Sequence, residues 1–157
     1  YRQTPLLFER AGARFERVAP ERAGPWLAQA HVDRSAAFGD LDGDGDVDMV
    51  VAERGGPVRV LENDGARGPF VSVALVDARP GRGDRHGLGS RIVLRQEGSV
   101  QTRWIVSGGS FQAASSPVAH FGLASDRPVS LEVTWPDGTT QALEGVAVGR
   151  TVEVKRR

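Results

Sequence analysis

Short strands separated by turn residues make up the pattern along this chain. In residues 1–68, apolar or β-branched stretches fall at Arg14 to Val18, Ser35 to Gly39, Asp48 to Glu53 and Val58 to Glu62. Between them lie glycine, proline, asparagine and aspartate, the residues that supply tight turns. From Phe70 the strands lengthen and alternate: Phe70 to Val76, Arg91 to Gln96, Gln101 to Val106, Val118 to Gly122, Val129 to Trp135, Thr140 to Leu143 and Thr151 to Lys155. Alternation buries one face of each strand, so seven of them predict an antiparallel β-sandwich or barrel over residues 69–157. Trp135, Pro136, Asp137, Gly138 and Thr139 spell a tight hairpin, and residues 78–87 a polar, glycine-rich loop. The only helical candidate, Glu21 to His31, is interrupted by Gly24 and Pro25, so the expected fold class is all-β.

A weak internal repeat bears on the first half. Leu7 to Arg14 aligns with Val60 to Arg67 at an offset of 53 residues, with Glu, Gly, Ala and Arg identical and an apolar pair kept. Repeats of this period suggest propeller blades, although eight residues can also match by chance. The reading makes residues 1–68 a partial propeller-type blade of four strands. A lone blade leaves apolar faces wet, so it is expected to pack on upstream blades, on the second half or on another copy.

The most chemically specific stretch is Asp40 to Asp48, where Asp40, Asp42, Asp44, Asp46 and Asp48 alternate and Gly45 takes the sixth position. Carboxylates so close repel unless a cation neutralises them, and oxygens at positions 1, 3, 5, 7 and 9 suit Ca2+. Gly45 supplies the sharp turn. The helical calcium loop of similar spelling needs a glutamate at position 12, which here is Val51, and the flanks read as strands. The ion is therefore expected in a β-to-β connection. Side chains of Asp40, Asp42, Asp44 and Asp48 are the expected ligands, with Asp46 giving its backbone carbonyl. A solvated acidic turn is the alternative; Mg2+ competes less well because it demands a tight octahedron.

With 157 residues, 39% hydrophobic and 25% charged, the chain can bury a core. Basic and acidic residues number 20 each, so no net field recruits nucleic acid or an anionic membrane. There is no cysteine, which removes disulfides, thiolate catalysis and cysteine-based zinc sites. No run has the length of a membrane helix. The first residue is Tyr1, which reads as a segment of a longer protein.

Catalytic patterns are weak. His31, His86 and His120 are widely spaced, with His120 inside an alternating strand and His86 in the polar loop. Ser107, Ser110, Ser115 and Ser116 lack the spelling of a nucleophile elbow, and no phosphate loop, dinucleotide fingerprint or zinc helix occurs. Arg82, Gly83 and Asp84 spell the tripeptide that integrins recognise, within a segment whose composition produces it easily.

The run from Arg34 to Val51 resembles the calcium-binding repeats called VCBS or FG-GAP. The second half resembles the ASPIC/UnbV domain through Gly87 to Val93, Ser107 to Gln112, His120 to Leu123 and Val133 to Gly138. The pairing occurs in proteins similar to cartilage acidic protein and in proteins of enediyne antibiotic clusters. The resemblance implies a mostly β, secreted or periplasmic protein with a propeller of several repeats. The leading expectation is a calcium-binding, non-catalytic β module for protein or glycan recognition. The alternatives are an accessory protein or enzyme in enediyne polyketide assembly, with Trp104, Phe111 and Trp135 lining an apolar pocket, and a structural cap of a repeat array.

Overall fold

A computed structural model describes residues 1–65, 68–81 and 85–156. The strands, in chain order, are β1 (Phe8–Ala11), β2 (Arg14–Arg17), β3 (Asp33–Gly39), β4 (Asp48–Glu53), β5 (Val58–Leu61), β6 (Phe70–Asp77), β7 (Arg91–Gln96), β8 (Ser99–Trp104), β9 (Gly109–Ser110), β10 (Ala113–Ala114), β11 (Val118–Gly122), β12 (Val129–Thr134), β13 (Thr140–Val146) and β14 (Arg150–Arg156). The helical candidate shrinks to a single 3-10 turn, Pro20–Arg22. Gly24 and Pro25 follow it, and neither sustains a helix.

The seven long strands of the second half form two sheets, ordered β11-β6-β14 and β13-β12-β7-β8. Period-two patterning builds the core between them. Val71, Val73 and Leu75 of β6 point inward with Phe121 and Val154, and meet Ile92, Leu94, Leu131 and Val133 of the other sheet. Each such side chain contributes roughly 1.5–3 kcal/mol by leaving water, which identifies this sandwich as the main source of stability. The sandwich departs from the antiparallel expectation at one place, because β14 runs parallel to β6. After β13 the chain crosses from one sheet to the other, and Gly149 N–H donates to Phe70 O (2.7 Å) as β14 enters beside the start of β6.

In the first half β3, β4 and β5 form an antiparallel sheet of three strands rather than the four expected of the blade. The would-be fourth strand, β2, pairs with β1 in a separate hairpin turned by Gly12. The free edge of β3 is taken by the second half. Ala36 N–H donates to Ser110 Oγ (3.0 Å), Phe38 N–H to Ser115 Oγ (3.2 Å), and Ser116 N–H to Phe38 O (2.8 Å). Capping an edge in this way satisfies backbone groups that would otherwise invite another strand. The two copies of the repeat also differ in setting: β1 lies in the hairpin, whereas Val60 and Leu61 end the three-stranded sheet. Ala66 and Arg67 of the second copy fall outside the described residues.

Candidate metal centre

The β3 to β4 connection holds the aspartate cluster where two antiparallel strands fix both ends, Gly39 opposite Asp48. Gly43 and Gly45 take positive φ of 81° and 97°, which curl the loop back on itself. Gly45 has a second constraint: the ring of Phe70 fills the space that a β-carbon would need. The loop is thereby pressed against the outer face of the β11-β6-β14 sheet.

Its carboxylates are positioned by backbone amides. Asp40 accepts from Gly43 N–H at Oδ1 (2.7 Å) and Gly45 N–H at Oδ2 (3.1 Å). Asp48, 2% exposed, accepts from Leu41 N–H (2.8 Å) and from Asn63 N–H just beyond β5 (2.9 Å). Asp42 accepts from Asp44 N–H (3.1 Å), and Asp44 from Asp46 N–H (3.0 Å). Asp40, Asp42 and Asp48 each bring one oxygen to within 4.8 Å of the others. Asp44 and Asp46 lie in the same loop outside that group of three.

This donor set fits a hard cation. A carboxylate has about four lone-pair sites, so accepting one or two amides leaves capacity for a metal. Asp40, Asp42 and Asp48 would hold the ion, and it would neutralise charges that otherwise repel. Position 12 gives nothing, because Val51 is buried in β4.

Beside the loop lies a cleft of about 550 Å3 whose floor is the outer face of the β11-β6-β14 sheet. His120, Ser72 and Thr151 form one rung across the three strands. Ser72 Oγ lies 3.2 Å from His120 Nδ1, and the imidazole stacks on Phe70 with centroids 5.7 Å apart. Burial pushes the His120 pKa down, with Arg103 acting the same way and Asp40 opposing. Ser72 and His120 do not make a nucleophile and base directed at solvent, because Ser72 is 2% exposed.

The other histidines sit elsewhere. His31 stacks on Trp26 at 4.3 Å and its Nε2 lies 3.0 Å from Trp26 O, a packing arrangement in the first half. His86 lies in the loop between β6 and β7. The three aromatics expected to share a pocket do not meet. Trp135 is in the core, donating from Nε1 to Gln141 Oε1 (3.0 Å), whereas Trp104 and Phe111 are 60% and 50% exposed, with Phe111 under Arg34. Trp135 alone follows the sheet's inward pattern.

Sequence reasoning missed one charged cluster. Asp77 at the end of β6 is bound by Arg79 through Nε (2.9 Å) and Nη2 (2.7 Å). Arg79 and Arg156 both reach Asp137 in the β12 to β13 hairpin, at 3.1 and 2.6 Å. The Arg79 hydrogen bonds hold the Asp77 carboxyl down at about 2, and those of Arg156 and Thr139 hold Asp137 well below the usual carboxylate range. The proline, aspartate and glycine there revealed a turn but not the two arginines that brace it. The Arg82, Gly83 and Asp84 tripeptide lies outside the described residues.

Comparison with known proteins bears on the second half most. Residues 80–157 match the family model described as ASPIC and UnbV. The chain is similar to cartilage acidic protein 1 of Xenopus tropicalis, 37% identical over 106 residues, which is 65% of this chain and 16% of that protein. It is 36% identical over 100 residues to the Homo sapiens protein of that name, covering 63% of this chain and 15% of the relative. The match therefore spans only a small share of the length of these relatives.

Proposed function

With an ASPIC and UnbV domain at residues 80–157 as the premise, we propose that this chain is a calcium-stabilised, non-catalytic β module of a secreted protein, used in protein or glycan recognition. The observation that carries the reading is the convergence of Asp40, Asp42 and Asp48 oxygens within 4.8 Å in a loop fixed by two strands. The flanking strands and the alternate aspartates support a VCBS or FG-GAP repeat upstream of the domain, with the boundary near residue 68. The bound ion would act on stability, joining the β3-β4-β5 sheet to the sandwich through the Gly45 and Phe70 contact.

Extracellular calcium modules bind at roughly 10⁻⁴ to 10⁻³ M, so such a site fills outside a cell. The relatives named for cartilage support the same location. Calorimetric titration of calcium into chelator-treated protein tests the reading. One site is expected, lost in the double variant Asp42→Asn and Asp44→Asn; absence of binding to the parent chain would remove calcium from the account.

The structural-cap reading has its own support. A groove of about 960 Å3 on the first half is bordered by Leu6, Leu7, Trp26, Met49 and Val60, several of them exposed. A neighbouring blade of like construction fits this face. A role in polyketide assembly has no such support, since its three aromatics do not converge.

A further inference from the structure

The cleft beside the aspartate loop is walled by both halves of the chain, a setting in which small-ligand sites recur, and its volume of about 550 Å3 lies in the range of such sites. We infer that this cleft binds one or two sugar units of a neutral glycan. The inference deepens the recognition reading above, and does not require the ion.

The floor supplies hydroxyl chemistry. The rung of His120, Ser72 and Thr151 places an imidazole between the loop and two hydroxyl-bearing side chains on one face of the sheet. His120 engages Ser72 through Nδ1, and among the described residues no hydrogen-bond partner of its Nε2 competes for a ligand hydroxyl. Thr151 is exposed on the edge strand β14. Ser115, on the opposite wall, accepts from Phe38 N–H and keeps its own O–H to donate. His120, Thr151 and Ser115 together both give and accept hydrogen bonds, which matches sugar hydroxyls, while the buried Ser72 orients the imidazole. Val47 and Val118 supply apolar wall for the C–H faces of a sugar ring.

Charge selects against an acidic ligand. Asp40 forms one rim, at the start of a loop with five carboxylates. The facing cation, Arg103, keeps its charge but is held to the sheet, with Nε donating to His120 O (3.3 Å) and Nη1 to Thr102 O (3.1 Å). Its single positive charge stands against a loop of five carboxylates, so an anion meets net negative charge.

The test uses the full chain with glucose, galactose, mannose, N-acetylglucosamine and lactose as neutral probes, and glucuronate and inorganic phosphate as anionic ones, followed by amide NMR shifts. At least one neutral sugar should give saturable shifts at Ser72, His120 and Thr151. Thr151→Val should weaken it roughly three- to tenfold, the share of one neutral hydrogen bond. Thr151→Trp, at an exposed position, should block it, and Phe111→Ala outside the cleft should not. Anion binding without sugar binding, no response to any neutral sugar, or shifts indifferent to Thr151→Trp would each overturn the inference. Running the titrations with calcium and with chelator, alongside melting curves, separates the two ideas. Sugar binding without any calcium effect on melting removes only the ion, and a calcium effect without sugar binding removes only the glycan.

Discussion

The ring of Phe70 stands where a β-carbon on Gly45 would be, so the turn of the aspartate loop and the first residue of β6 fit only because position 45 has no side chain. Gly45→Ala should therefore cost about 2–4 kcal/mol, combining a left-handed φ of 97° with overpacking against the ring. Phe70→Leu in the same background should recover part of the loss. Denaturant unfolding of the four proteins in chelator measures that coupling without an ion; additive costs would mean the contact is not restrictive.

A cut made at residue 69 and one made at residue 80 should behave differently. The family match starts at residue 80, yet β6 is the middle strand of β11-β6-β14 and carries Val71, Val73 and Leu75. Residues 69–157 should fold cooperatively and residues 80–157 should not, as judged by dispersed amide spectra. Equal folding of the two fragments would show that β6 is dispensable.

The alternation of apolar residues made the sandwich legible: all seven of its long strands were readable, and β7 and β11 fall on the expected residues. Register was harder. The sequence suggested a strand from Gln101 to Val106, but β8 runs Ser99–Trp104 because Glu97 and Gly98, both at positive φ, make a two-residue hairpin directly after Gln96. Glutamate is an unusual residue for that turn, so its signal is weak. The partnering of β2 with β1 was hidden for another reason: strand pairing depends on which edges are free, and the β3 edge is claimed by Ser110, Ser115 and Ser116, more than 70 residues away in sequence. At the candidate metal centre the aspartates and Gly45 were legible as chemistry. The role of Asp48 in gripping Asn63 and the role of Phe70 were not, because both are tertiary contacts.

Acid should weaken the protein in a defined window. Asp77 titrates near 2 in the folded chain and near 3.9 when unfolded, so its stabilisation is complete above about pH 4 and is lost as pH falls through about 2. Asp137, also depressed, acts in the same direction. Asp77→Asn should be less stable than the parent at neutral pH, and the gap should narrow between about pH 4 and pH 2. Melting temperatures across that range check it; a constant gap would mean that the ion pair with Arg79 does not drive the acid response.

Two tryptophans should respond unequally to truncation. Trp135 is 2% exposed and hydrogen-bonded to Gln141, so Trp135→Ala should cost about 3–5 kcal/mol. Trp104→Ala, at a 60% exposed position, should stay within about 0.5 kcal/mol. Denaturant midpoints of the two variants decide; comparable losses would mean that Trp104 is as much a part of the core as Trp135.

Thermal unfolding of the intact chain in excess calcium and in excess chelator decides whether a bound ion supports the fold. At a hundredfold excess over Kd, an ion held only by the folded loop adds about 2.7 kcal/mol, a rise in Tm on the order of 5–10 °C for a chain of this size. That rise is expected in the parent and is expected to be lost in Asp42→Asn with Asp44→Asn. Superimposable curves with and without calcium would contradict it.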